Sequence, residues 1–130
     1  MSSIRVLVVD DDLFLNFACC EMLKEGGFDA VGVHCADAAF EAMYHEANLS
    51  ALVTDIDLGA GPDGFEVARR ARAAKPNFPV VFVSGTAAAR QRAELFEGSE
   101  FLGKPFGMSQ ILDALHRVEG RRHAPSIGST

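Results

Sequence analysis

Seven residues of this 130-residue sequence could act together: Asp10, Asp11, Asp12, Asp55, Asp57, Ser84 and Lys104. They stand at or just past the ends of short apolar runs: Val6-Leu7-Val8-Val9, Leu52-Val53-Thr54, Val80-Val81-Phe82-Val83 and Phe101-Leu102-Gly103. If those runs are parallel strands of one sheet, their carboxyl ends share the edge where α/β proteins bind ligands. Carboxylates crowded there raise one another's proton affinity, and a hard divalent cation relieves them. Carboxylate, carbonyl and water oxygens suit the octahedral shell of Mg²⁺ (or Mn²⁺), an ion that works beside phosphate oxygens. A hydroxyl and an ammonium complete a set fit for phosphoryl transfer, in which charge on the equatorial oxygens must be held. The carboxylate between metal and lysine would be the nucleophile. Asp55 is that candidate, because a carboxylate ending an apolar strand is costly unless it is satisfied.

The elements that must position these groups alternate along the chain. Ile4–Val9 is rich in β-branched residues and apolar on both faces after Arg5, as in a strand buried within a parallel sheet. Leu15, Ala18, Cys19, Met22 and Leu23 recur at helical spacing over Leu13–Lys24, and Gly26-Gly27 supplies the stop. A weaker strand follows over Asp29–Cys35. Asp37 can cap a second helix, with Ala39, Phe40 and Met43 inward, running to about Ala47. Ala51–Thr54 is the third strand, and the Gly-rich Gly59-Ala60-Gly61-Pro62-Asp63-Gly64 leads into an amphipathic helix over Gly64–Ala74. Pro79–Ser84 is the fourth strand. The helix after it, Ala87 to about Glu97, has only Leu95 and Phe96 as large apolar residues, so little packing holds it. Phe101–Gly103 is a short fifth strand and Met108–Val118 the last helix, with Ile111, Leu112, Leu115 and Val118 inward. This order predicts an α/β fold: a doubly wound (βα)5, five-stranded parallel sheet with helices on both faces and right-handed crossovers. A single domain over residues 1–119 with a frayed tail over 120–130 is expected.

A net charge of -6 argues against broad electrostatic binding to nucleic acid or to an anionic membrane surface. Cys19, Cys20 and Cys35 are odd in number and lie in apolar segments, so they read as reduced core or near-core thiols of a cytoplasmic protein. The longest early apolar run, Val6–Val9, is too short for a membrane span.

Val8-Val9-Asp10-Asp11, Asp55, Ser84-Gly85 and Lys104-Pro105-Phe106, in that order and at strand ends, closely resemble the receiver domain of two-component response regulators. The resemblance implies a flavodoxin-like receiver fold in which Asp55 is the phosphoacceptor and one of the metal-holding residues, and Asp11 is a direct metal ligand. It makes Asp10 a ligand through water and Asp57 a donor of its backbone carbonyl. Ser84 and Lys104 would bind phosphoryl oxygens, Phe101 would be the aromatic switch partner of Ser84, and Lys104-Pro105 is a candidate cis bond. The implied partners are a histidine kinase or histidine phosphotransfer protein and an unknown downstream protein, with the chain a monomer or a phosphorylation-dependent dimer. It would not be an enzyme beyond its own Mg²⁺-dependent phosphorylation and dephosphorylation. Departures from the family pattern lie in the loop after Asp55, which is slightly longer and lacks an early proline, and in the slightly shorter stretch from Ser84 to Lys104. Asp57 and Thr86 occupy positions that tune phosphoryl lifetime in this family.

Two other functions compete. Asp55-Ile56-Asp57 is an Asp-x-Asp at a strand end, as in haloacid dehalogenase-type phosphatases, although there it sits on the first strand. A receiver-like binding module without phosphorylation is the third reading, opposed by the intact Asp11, Asp55, Ser84 and Lys104 set. Taken singly, Asp12 is a helix cap, Phe101 a core residue, and Arg69, Arg70 and Arg72 a solvated helix face. The four histidines share no ligand spacing.

Overall fold

Five strands that read as apolar runs do form one sheet, and the computed structural model describes residues 4–122 of it and its helices. In chain order the elements are β1 (Arg5–Val9), α1 (Leu13–Glu25), β2 (Asp29–Val33), α2 (Ala36–His45), β3 (Leu49–Asp55), α3 (Gly64–Ala74), β4 (Val80–Ser84), α4 (Ala88–Glu94), β5 (Glu100–Gly103) and α5 (Met108–Arg122). All strand pairs are parallel, in the order β2-β1-β3-β4-β5. The order reverses between β1 and β3, so the crevice at the sheet's carboxyl edge opens between the strands that carry Asp10 and Asp55.

Alternation along each strand splits the core in two. Leu7, Val9, Leu52 and Phe82 pack with Val67 and Ala68 of α3 on one face. Val6, Val8, Val53 and Val81 pack with Leu23 of α1 and Ile111 and Leu115 of α5 on the other. Burial on both faces is why these strands are apolar runs rather than alternating ones.

Several expectations need correction. Asp37 does not cap α2: the helix begins at Ala36, whose side chain is buried, and Cys35 holds the cap position without a side-chain bond. That places Asp37 in the first turn, where its charge meets the positive end of the helix. Cys35 is exposed, whereas Cys19 and Cys20 are buried. Leu15, expected inward, is 37% exposed, and buried Asn16 takes the inward face with Cys19, Cys20 and Leu23. Helix α4 is shorter than expected, and Leu95 is 87% exposed, so Ala89, Ala93 and the partly buried Phe96 hold this segment instead. Arg72 is not solvated like Arg69 and Arg70: it donates to the Phe78 and Glu97 carbonyls and stacks on Phe96. Gly120, Arg121 and Arg122 belong to α5 rather than to the tail, and residues 123–130 of that expected tail lie outside the described residues.

Candidate functional site

Register decides which groups meet. Val9 of β1 lies beside Thr54 of β3, so the next residues, Asp10 and Asp55, leave the sheet side by side. Asp55 in turn lies beside Val83, and Ser84 beside Gly103, which sets Ser84 and Lys104 one step further along the same edge. The Lys104 amide donates to the Ser84 carbonyl at 2.8 Å, and the Lys104-Pro105 bond is cis.

The Lys104 ammonium stands between two carboxylates, 2.8 Å from Asp10 Oδ2 and 2.9 Å from Asp55 Oδ2. Asp10 and Asp55 are both buried. Their other oxygens are occupied as well: the Asp12 amide donates to Asp10 Oδ1 at 2.9 Å, and the Asp57 amide donates to Asp55 Oδ1 at 3.2 Å. Burial pushes the Asp55 carboxyl above its ordinary range, and the Lys104 hydrogen bond only partly offsets this. For Lys104, burial works to lower the pKa, but bonds to Asp10 and Asp55 outweigh it and hold the ammonium more firmly protonated than usual.

Asp11 is exposed at the rim, and one oxygen from each of Asp10, Asp11 and Asp55 lies within 4.8 Å of the others. An all-oxygen set of that span fits one hard divalent cation, with the exposed side open to water ligands. Asp57 is at the site through its backbone, while its side chain is exposed. Asp12 caps α1, accepting from the Leu15 amide at 3.0 Å.

Ser84 is 2% exposed, and its hydroxyl accepts from the Thr86 amide at 3.1 Å with the Thr86 hydroxyl 3.2 Å away. Phe101 is half-buried, lies beside Phe82 in register, and carries the Arg90 guanidinium 4.6 Å above its ring.

Two supports of the site escaped sequence reasoning. Asn16 donates to the Asp10 carbonyl at 3.1 Å and to the Val33 carbonyl at 2.7 Å, tying the end of β1 to α1 and β2. A polar residue on the apolar Asn16, Cys19, Cys20, Leu23 stripe was the available signal. Gly64 runs directly beneath Asp55: a Cβ there would overlap the Asp55 carbonyl oxygen, and its amide donates to the Ile56 carbonyl at 2.9 Å. Asp63 begins α3 at that point, accepting from the Glu66 amide at 3.0 Å.

With this geometry in place, the similarity to known proteins is specific. The response regulator receiver domain family matches residues 6–116. The chain is 30% identical over 115 residues to the response regulator protein FleR of Pseudomonas aeruginosa, covering 87% of this chain but 24% of FleR, so it spans about a quarter of that relative. It is 26% identical to the response regulator receiver protein CpdR of Brucella abortus, covering 88% of this chain and 95% of CpdR. A crystal structure of a response regulator receiver protein from Sinorhizobium medicae superposes with a TM-score of 0.87 at 32% identity, covering 94% of this chain and 98% of that one. A match over nearly the whole sheet, with the acidic crevice at its switch point, places this chain in the response regulator receiver domain family.

Proposed function

We propose that the chain takes a phosphoryl group on Asp55 from a histidine kinase or histidine phosphotransfer protein, and signals through phosphorylation-dependent binding to another protein. The observation that carries this reading is Lys104 Nζ set 2.8 and 2.9 Å from Asp10 and Asp55 beside an exposed Asp11. An Asp55 oxygen attacks phosphorus, the donor's P–N bond breaks, and the imidazole nitrogen leaves with the bonding pair. Burial makes Asp55 more basic, and hence a better nucleophile, than an exposed carboxylate. Lys104 has an ammonium proton to place on a phosphoryl oxygen, and Ser84 has a hydroxyl for another once it turns from Thr86. Asp11, Asp55 and the Asp57 carbonyl would hold Mg²⁺ (or Mn²⁺), with Asp10 acting through water. The cation supplies charge neutralisation at the transferring oxygens.

The site performs its own phosphorylation and hydrolysis and acts on no separate substrate. Its place is the cytoplasm, where kinase and phosphodonor meet it. No helix among the described residues is long and apolar enough to cross a membrane. The phosphatase reading has weaker support, because Asp57 meets the site through its amide rather than its carboxyl.

Incubation with Mg²⁺ and acetyl phosphate, followed by intact-mass measurement, tests the proposal. One acid-stable, base-labile phosphoryl increment is expected on wild type and none on Asp55→Asn. Multi-turnover hydrolysis of varied phosphate esters would favour the phosphatase, and absence of any adduct would favour the binding module.

A further inference from the structure

Behind the acidic crevice, between α1 and the sheet, lies a cavity of about 340 Å³ that shares only Asp10 and Lys104 with the phosphoryl chemistry. Its floor is Val53 and Val83, and its α1 wall is Ala18, Cys19 and Met22. Burial pushes the Cys19 thiol up to about 12, so at neutral pH it is an uncharged part of that wall. Phe106, just past β5, also lines it. The volume lies within the range that encloses small organic ligands, and apolar walls with a few convergent polar groups are how such sites are built.

The polar end is formed by Asp10 and Lys104. An ammonium has three protons, and the described partners of Lys104 are two carboxylate oxygens, Asp10 Oδ2 and Asp55 Oδ2. While Asp55 is unphosphorylated, one donor therefore remains for a molecule in the cavity that Lys104 lines. Those two carboxylates already more than offset the single lysine charge, and a formal charge carried between valine, alanine and methionine walls would lose its hydration without return. The site thus selects an uncharged occupant with a single acceptor at one end.

We infer that this cavity binds a small, neutral, mostly apolar molecule bearing one carbonyl or hydroxyl oxygen, with that oxygen accepting from Lys104. The inference stands apart from phosphorylation, and its test uses unphosphorylated protein without Mg²⁺ or phosphodonor. Acetophenone and α-methylstyrene have the same shape, but only the ketone carries an acceptor. With the methionine methyls labelled with ¹³C, titration of acetophenone is expected to shift the Met22 methyl saturably. Met43 and Met108, which do not line this cavity, serve as controls. α-Methylstyrene is expected to bind about tenfold more weakly, the size of a hydrogen bond to a charged donor. Lys104→Met should bring the two affinities together, and Ala18→Leu, which fills the wall, should abolish the shift. Absence of a saturable Met22 shift with either probe would overturn the inference. Equal affinities in wild type would overturn the role given to Lys104.

Discussion

The two halves of the sheet's carboxyl edge are built differently. At β1 and β3, each reactive group has more than one fixed partner: Asp10 is held by the Asp12 amide and Lys104, Asp55 by the Asp57 amide and Lys104. Asn16 pins the chain behind Asp10, and Gly64 lets α3 pass beneath Asp55. At β4 and β5, the Ser84 hydroxyl has, among the described residues, only a local partner, Thr86, two residues on. Helix α4 is seven residues long, has no side-chain cap bond, and buries little beyond Ala89 and Ala93. Cationic side chains lie over its aromatic neighbours: Arg72 stacks on Phe96, Arg90 on Phe101, and Arg92 on Phe65 while pairing with Asp63 at 3.5 Å. The contrast suits a device in which chemistry is preorganised and readout is a shift between states of similar energy, since elements that move are drawn from the thinly packed end of a fold.

Four substitutions sharpen or break this contrast, in descending order of effect. Gly64→Ala puts a methyl against the Asp55 backbone carbonyl, which cannot give way without moving the nucleophile. A loss of about 3 kcal/mol in urea denaturation is expected, together with loss of phosphoryl uptake. Arg72→Ala removes the bonds to the Phe78 and Glu97 carbonyls and the stacking on Phe96, for about 1–2 kcal/mol. Amide hydrogen exchange should speed up in α4 and β5 while β1 and β3 stay protected. Uniform acceleration would contradict the division into two regions.

Asp55→Asn acts in the opposite direction. Because the folded-state pKa of Asp55 is raised, its contribution favours folding at acid pH and is lost as pH rises through that value, leaving a destabilising charge at neutrality. The variant should therefore melt about 2–5 °C higher than wild type at neutral pH without metal, with the gap closing as pH falls toward the ordinary carboxylate range. A lower melting temperature at neutral pH would mean that the Lys104 bond outweighs burial. Leu95→Ser should change stability by no more than about 0.5 kcal/mol, because a side chain 87% exposed has little packing to lose.

Sequence pattern carried most of the fold because strands buried on both faces announce themselves as apolar runs, and each of the chemical residues stands where such a run stops. Asp10, Asp11, Asp55 and Lys104 were legible for that reason, and parallel topology then put them at one edge. What pattern could not carry was the support behind them. Asn16 looks like an interruption in an apolar stripe until its two carbonyl partners arrive from β1 and β2. Arg72 looks solvated until the turn at Phe78 and the end of α4 fold over it. The start of α2 at Ala36 rather than after Asp37 follows from burial of that alanine, a tertiary effect that overrides the capping preference.

The central claim is that Asp55 is the group that becomes phosphorylated. Borohydride reduction of the Mg²⁺- and acetyl phosphate-treated protein, followed by tandem mass spectrometry of its peptides, reads the modified residue directly. Reductive labelling at Asp55 alone, absent when Mg²⁺ is withheld, is the predicted result. Labelling at Asp10, Asp11 or Asp57 with Asp55 unmodified would contradict the account.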